Sequence, residues 1–571
     1  MKDRPPLCEA PARATHAGPD WGIIGFALNP PNAPPPPAAP ATPVVSASAW
    51  APLSQPVFRM LWVTWLVANT CMWMNDVAAA WLMTTLTTSP ALVALVQTAS
   101  MLPVFLLGLP SGALADILDR RLFFMVTQFW VAGVAVVTCL LVLGGGMTPA
   151  LLLALTFANG IGLAMRWPVF AAIVPELVPR LQLPAALALN GIAMNGSRII
   201  GPLLAGAIIA SLGSAYVFVL NALLSVAAGF VIFKWKRERT VSALPGERFV
   251  GAIRVGWQYV RQSTRMHAVL VRIALFFLQS TAVLALLPLV ARGLDDGGAG
   301  TFTLLLAAMG SGAVVAAAQL PRLRARFNRD QLVNRGSVVQ AAATVILAFA
   351  PNVWVAVPAM FISGMAWITV ANTLTVAAQL ALPDWVRARG MSIYQMALMG
   401  SAGASAALWG QVASWTSVPI SLIAAAVIGQ ALLVWARRML IEGGAEEDLT
   451  PSQAWKPPVT ATPIDPDAGP VLVTIEYQID PARAEAFRAV MQESRRSRLR
   501  HGALAWELFR DVNDPGRYTE YFIDESWVEH LRRFDRVTAA DVHLRERRLA
   551  FHLGDQPPRV TRRIAETLEP H

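Results

Sequence analysis

Charge is what this sequence has least of. Only 14% of its 571 residues are Asp, Glu, Lys or Arg, against about 25% in an ordinary soluble chain. Most of the chain therefore cannot face water. Lysine is scarcer still, confined to Lys2, Lys234, Lys236 and Lys456, so the net charge of +10 is carried by arginine. The surplus is not a nucleic-acid patch, because it falls in short gaps between apolar runs. The cysteines Cys8, Cys71 and Cys139 stand far apart, two of them inside apolar stretches. They build no disulfide framework and no metal knuckle, and read as small buried hydrophobes. No Gly-x-x-x-x-Gly-Lys-Ser/Thr run occurs, which argues against ATP hydrolysis by the chain itself. No metal and no cofactor is expected. Residues 1–50 lack an uninterrupted apolar core, and "NPPNAPPPPAAPATP" reads as a mobile Pro-rich tail, residues 1–54, rather than a signal peptide.

What is present is hydrophobicity: 55% of residues, with mean hydropathy +0.49. About twenty apolar residues cross a bilayer. At that length the candidates are 60–83, 91–111, 122–144, 149–170, 187–211 and 214–233, then 268–291, 301–320, 335–350, 353–376, 390–414 and 417–436. The expected fold is an all-α membrane protein of twelve transmembrane helices in two six-helix pseudo-repeats, residues 55–233 and 268–440. Alternate gaps carry Arg120 and Arg121, Arg180, the segment 234–267, Arg322 to Arg329, Arg387 and Arg389, and Arg437 and Arg438. The intervening gaps are neutral or acidic, so both termini are expected in the cytoplasm and the protein in the inner or plasma membrane. Within 234–267, "RFVGAIRVGWQYVRQ" has the spacing of an amphipathic helix lying on lipid headgroups.

The two halves echo each other. Gly112 with Arg120 and Arg121 is matched by Gly312 with Arg322 and Arg324, and "VPELVPR" by "LPDWVRAR". Corresponding gaps with corresponding chemistry point to duplication, the architecture of rocking transporters.

The gap "SGALADILDRR" resembles the signature of the major facilitator superfamily between its second and third helices, through Gly112, Leu114, Ala115, Asp116, Asp119, Arg120 and Arg121. Asp119 stands where that signature has a second glycine. "NGSRIIGPLLAG" looks like the superfamily's antiporter motif, through Gly201, Pro202 and Gly206. With "ALALNGIAMNGSRIIGPLLAG" and "PELVPR", the chain is most similar to the transmembrane secretion effector branch, which contains siderophore exporters such as the enterobactin exporter. The resemblance implies alternating access, and a cytoplasmic latch in which Asp116 faces the helix start near Gly390. Arg120 and Arg121 either join that latch or only fix topology. The arginine usual before the glycines of the fourth helix is missing, and Arg166 follows them instead.

An ionisable group near the bilayer centre costs about 2.5–3.5 kcal/mol on insertion scales, so it normally faces a cavity or a partner. Asp76, two-thirds across the first span, and Arg198, midway in the fifth, are the two that stand out. Asp76 is expected to be a substrate or proton site, with the alternative of a structural contact to Arg198 or Asn75. Trp73, Asn75, Asn159, Trp167, Asn190, Asn195, Gln279, Asn372, Tyr394 and Gln395 are further cavity candidates, suited as a set to a bulky amphipathic substrate.

After Arg438 the composition changes. Residues 441–467 are an acidic, Pro-rich linker, and 468–571 read as strand, helix, two strands joined by Val-Asn-Asp-Pro-Gly, helix and strand, the ferredoxin-like order. "WELFRDVNDPGRYTEYFIDES" resembles the antibiotic biosynthesis monooxygenase type of dimeric α/β barrel, which implies a homodimer through this domain. His501, His530, His543 and His552 show no ligand spacing and are expected on solvated faces. Trp506 and Tyr521 suit a barrel interior. The leading reading is a secondary active exporter, not an enzyme, that takes a small amphipathic molecule, a siderophore or drug, by proton antiport, with no nucleic-acid partner. The alternative is a membrane-anchored monooxygenase-like enzyme whose tail does the chemistry.

Overall fold

The computed structural model describes residues 50–179, 182–235, 249–294, 297–441, 447–452, 458 and 460–566. Helices α1 (Pro56–Leu86), α2 (Pro90–Ile117), α3 (Arg120–Leu143), α4 (Pro149–Leu177), α5 (Leu183–Ser211) and α6 (Ser214–Lys234) come first. The short α7 (Phe249–Gln262) precedes α8 (Thr264–Gly293), α9 (Ala299–Arg326), α10 (Arg329–Ala348), α11 (Val353–Leu380), α12 (Asp384–Trp415) and α13 (Val418–Ala436). Proline opens α1, α2 and α4, where its missing N–H would have found no partner anyway. Thr148, Ser263, Asn352 and Ser417 cap α4, α8, α11 and α13 through their side-chain oxygens.

Among the described helices nine are long and apolar enough to cross a membrane: α2 to α6, α8, α9, α11 and α13. The long helices α1, α10 and α12 miss that composition: α1 carries Arg59 and Asp76 and α10 carries Asp330 and Arg335, while α12, charged only in its first turns, is diluted by Gly, Ser and Gln along the rest. Helix α10 begins at Arg329 rather than 335, because Asn328 and Gln331 form a reciprocal capping box there. Arg322, Arg324 and Arg326 are not in a gap but in the last turns of α9. Exposed Phe349, Trp354 and Trp415 stand at one set of helix ends, and exposed Phe233 and Trp435 at the other. Aromatic rings at both ends fit the two interfaces of a bilayer.

Packing repeats with the sequence. Helix α1 packs on α5 and α6 as α8 packs on α12 and α13; α2 packs on α4 as α9 does on α11; α3 packs on α4 and α6 as α10 does on α11 and α13. Between the halves, α2 lies along α12 and its counterpart α9 along α5. The α9–α11 crossing needs glycine: a Cβ on Gly312 would collide with the Phe361 carbonyl, and one on Gly364 with that of Met309. Gly312 therefore sits at mid-helix and does not occupy the position of Gly112 near the end of α2.

One apolar core serves both halves at the end where α1 stops and α2 starts. There Trp81, Met83 and Val93 join Leu286, Phe302, Trp409 and Ala413. At the opposite end the cores separate. Phe58, Trp65, Phe124 and Phe170 belong to the first half, and Met266, Phe276, Leu374 and Val386 to the second.

The tail contains β1 (Val471–Gln478), α14 (Ala484–Arg500), β2 (Ala505–Arg510), β3 (Arg517–Asp524), α15 (Trp527–Asp535), α16 (Ala539–Leu549) and β4 (Arg559–Ile564). Its sheet has the order β2-β3-β1-β4 with every pair antiparallel. Val471, Val473, Ile475 and Tyr477 alternate inward against Phe487 and Met491 of α14. The single helix expected after β3 is two, since Thr538 and Asp541 form a capping box that starts a new one. The tail rests on α7 and the start of α12: Arg254 pairs with Glu525 at 2.5 Å, and Arg536 lies over the Trp385 ring at 5.1 Å. Val255, Tyr259 and Val260 of α7 are buried in these protein contacts, not laid on lipid. Residues 447–452, within the expected linker, hydrogen-bond to the α16 start, as in Ala539 N to Thr450 O at 3.0 Å.

Candidate functional site

Helix α1 places adjacent residues on different faces. Asn75 turns into the first half, where its Oδ1 accepts from Asn221 Nδ2 of α6 at 3.1 Å. With Thr138, Thr156 and Asn159 these two amides line a cavity among α1, α3, α4 and α6. Asp76 turns toward α2, where its Oδ1 accepts from Ser100 Oγ at 3.0 Å. Neither structural contact expected for Asp76, to Arg198 or to Asn75, is formed. The 100° turn per residue of a helix is the reason.

Arg198 lies elsewhere. Its guanidinium carbon is 5.2 Å from the ring centroid of Trp73 on α1 and 4.8 Å from that of Trp367 on α11. Its buried Nε has no hydrogen-bond partner. Arg198, Trp73 and Asp76 each keep part of their surface exposed. Gly201, one turn along α5, lets α5 close on α1, since a Cβ there would meet Trp73 Cβ at 2.5 Å. Gly206 faces Thr303 of α9, so the motif touches both its own half and the other. Pro202 is accommodated inside α5 without ending it.

Of the remaining candidates, Tyr394 comes close enough to Arg198 for the two groups to interact electrostatically, and the others make their bonds elsewhere. Asn372 Oδ1 accepts from Arg324 at 2.7 Å, Tyr394 OH meets Thr375 Oγ1 at 3.0 Å, and Gln279 Nε2 donates to Ser337 O at 3.4 Å. These bonds lie within the second half. The side chains of Trp167, Asn195 and Asp116 and the surroundings of Gly112 lie outside what the structure describes, while the backbones of α4, α5 and α2 carry these residues. Asp119 caps α3, accepting from Arg121 N at 3.0 Å and Leu122 N at 3.2 Å, which is a physical reason for an aspartate where the signature has glycine. Arg121 Nη2 donates to Phe233 O at the end of α6, 2.9 Å away, tying two helix ends of one half.

Sequence reasoning missed Trp367, whose setting "GMAWITVANT" gave no sign that it meets Arg198 across the halves. It also gave Arg166 no environment. That residue is 2% exposed, lies 5.4 Å over Trp65 and donates to Gln128 Oε1 at 3.3 Å, with no carboxylate partner among the described residues. Arg272 is the contrasting case, paired with Asp330 at 3.1 Å.

In the tail, His501 and His530 are buried, contrary to the expectation of solvated faces. His501 Nε2 lies 3.3 Å from Asp541 Oδ2, and His530 Nδ1 is 2.9 Å from Asp524 Oδ2. Burial lowers the His501 pKa, against the upward pull of Asp541. Glu520, fully buried, accepts from Arg498 Nε, Trp506 Nε1 and Tyr477 OH at 3.0 Å each and from Arg548 at 3.3 Å. Burial alone would raise its carboxyl, but Arg498 and Arg548 hold it down at about 2. Trp506 is interior as expected, whereas Tyr521 is half-buried and stacked on Phe509 at 5.4 Å. Among the described residues no three His, Cys, Asp or Glu side chains gather as a metal site.

Comparison with known proteins agrees with the bundle geometry. The sequence matches the family described as transmembrane secretion effector over residues 47–569. It is 21% identical over 252 residues to the staphyloferrin A transporter of Staphylococcus aureus (strain NCTC 8325 / PS 47), a match that covers 44% of this chain and 63% of the relative, less than two thirds of its length. The fold is similar to the nucleoside transporter NupG, with TM-score 0.55 and 12% identity over 67% of this chain and 98% of that one. It is similar also to a bacterial homologue of the human lysosomal transporter Spinster in an inward-facing, occupied conformation, with TM-score 0.53 and 13% identity over 68% and 98%.

Proposed function

This chain belongs to the transmembrane secretion effector family, and from that premise we propose that it exports a small amphipathic molecule, such as a siderophore or drug, by proton antiport. It is a multi-pass membrane transporter of the major facilitator superfamily and not an enzyme. The observation that carries the finer reading is the division of the cores: joined at one end of the halves, separate at the other. Halves that share a core at one end and part at the other are arranged to rock. In this reading α1 to α6 and α8 to α13 all span, making twelve, and the joined end is extracellular. The basic gaps, the tail and both termini are then cytoplasmic, and this conformation opens inward.

The roles follow the geometry. Asp76, a titratable carboxyl on α1 with one hydroxyl partner, is the candidate proton carrier. Trp73, Asn75 and Arg198 are the substrate candidates. Gly201, Pro202 and Gly206 form the bearing on which α5 slides against α1 and α9. Gly112 and Asp116, with Arg120 and Arg121, remain the proposed cytoplasmic latch, and Asp119 supports it as the α3 cap. The tail is read as ferredoxin-like, on its β2-β3-β1-β4 order. A homodimer through it would use the open β2 edge, where Phe509 is exposed. The alternative, monooxygenase-like chemistry in the tail, predicts that a chain ended after Arg438 loses the function.

The test is a deletion strain screened for accumulated metabolites. The accumulated compound is then offered to inverted vesicles containing the wild type, Asp76→Asn, or a chain ended after Arg438. Wild-type and tail-less vesicles are expected to concentrate it under an imposed pH gradient, and Asp76→Asn to lose the dependence on that gradient. Uptake indifferent to the gradient in the wild type would sink proton antiport, and no accumulated compound and no uptake would sink the transporter reading's export direction.

A further inference from the structure

We propose that Arg198, Trp73 and Trp367 together bind the anionic end of the substrate, so that the transported molecule carries a carboxylate or comparable anion beside a flat apolar body. The inference rests on the transporter reading and adds the substrate's charge to it.

The guanidinium is flanked by two indole faces, at 5.2 and 4.8 Å, and not by a carboxylate. Stacking uses the flat face of an arginine and leaves its N–H donors, which radiate in the plane, free to bond. One of them, Nε, is buried without a partner. Asp76, the acid nearest in sequence to Trp73, is engaged with Ser100. Arg198 makes no ion pair among the described residues, whereas Arg272 in the same bundle is paired with Asp330. A charge in low dielectric is tolerable only with a counter-ion or strong compensation. Two aromatic quadrupoles compensate in part, and the vacant donors in the guanidinium plane match a carboxylate, which accepts two parallel N–H bonds there.

The placement explains why such a group would be recognised by a moving protein. Trp73 and Arg198 belong to the first half and Trp367 to the second. Trp73 is backed by Gly201, and Trp367 by Phe277 at 5.9 Å, so both rings are held rather than loose. An anion bound to Arg198 beside the two indoles would touch both halves at once. A cation is repelled there, and a neutral amide gives up the charge-assisted bonds.

The experiment uses purified full-length protein in nanodiscs and three probes of one shape: 2-naphthoate, 2-naphthamide and 2-naphthylmethylammonium, compared by equilibrium dialysis. The wild type is expected to prefer naphthoate over the amide by about tenfold or more, the worth of a charge-assisted bond. Arg198→Gln should abolish that preference, Arg198→Lys should keep part of it, and Trp367→Leu should weaken naphthoate and naphthamide alike. A wild type that binds naphthoate no better than the other probes, or a preference that survives Arg198→Gln, overturns the proposal. The wild-type comparison decides even if a variant fails to fold. Vesicle uptake reads the other claim separately: export of a neutral or cationic metabolite leaves the transporter standing and removes only the anion.

Discussion

In the tail, Glu520 is met by two guanidiniums, an indole N–H and a phenol; in the bundle, Arg198 meets two ring faces, and Asp76 a single hydroxyl. Both regions remove charge from bulk water. Among the described residues the tail surrounds it with charges of the opposite sign, and the middle of the bundle does not. Asp524, with Arg533 and His530, follows the same rule as Glu520, and Asp541 is held instead by hydrogen bonds from His501, Ser497 and Thr538. Within the bundle the rule holds near a helix end, at Arg272 and Asp330, and lapses toward its middle. A satisfied network fixes one structure. An unsatisfied charge leaves donors or acceptors open, and the proposed proton and substrate roles of Asp76 and Arg198 rest on that.

The difference should show first in substitutions. Glu520→Gln would strand Arg498 and Arg548 beside a neutral amide, and is expected to destabilise the tail by about 3–5 kcal/mol. Arg166→Leu in the bundle removes a charge that has no carboxylate to strand, and is expected to lower stability by no more than about 1 kcal/mol. Hydrogen exchange of tail peptides and thermal unfolding in detergent read the two. A Glu520→Gln loss no larger than that of Arg166→Leu would end the contrast.

Acid should separate the regions next. Burial would raise the Glu520 and Asp524 carboxyls, yet their arginines hold both down to about 2. Unfolded, these groups titrate near pH ~4. Their stabilisation is therefore complete above that pH and lost as the pH falls through the folded values. Tail exchange protection is expected to hold from pH 7 to 5 and to collapse between about pH 4 and 2. Collapse already above pH 5 would mean that the pairs are not what holds the tail.

The smallest effect belongs to the seam between the regions. Arg254 and Glu525 pair at 2.5 Å, but their side chains are 30% and 29% exposed. Arg254→Ala is expected to change stability by less than about 1 kcal/mol. Loss of tail docking in a limited-proteolysis assay would show that this ion pair carries the seam, in place of the apolar contacts of Val255 and Trp385.

Much of the architecture was legible because bilayer thickness imposes length and hydropathy on each helix. Boundaries were less so: Asn328 and Thr538 start helices where hydropathy shows nothing, and each needs only a pair of side chains, Asn328 with Gln331 and Thr538 with Asp541, to take up free N–H groups. Asp76 and Arg198 were legible as anomalies, since a charge among apolar residues stands out alone. Their partners were not, because Ser100 and Trp367 are ordinary in their own surroundings. The buried histidines of the tail were misjudged for the same reason: their carboxylates come from other elements.

Composition and spacing by themselves determined a duplicated, lipid-embedded bundle with a small mixed domain after it, for the hydrophobic effect acts on residue type and needs no knowledge of neighbours. Which charge meets which, that Asp76 and Arg198 stand apart, and that a tryptophan from each half closes on one arginine were decided only by the tertiary structure. Electrostatic and hydrogen-bond energies depend on distances of a few ångströms, and those are set when distant segments pack.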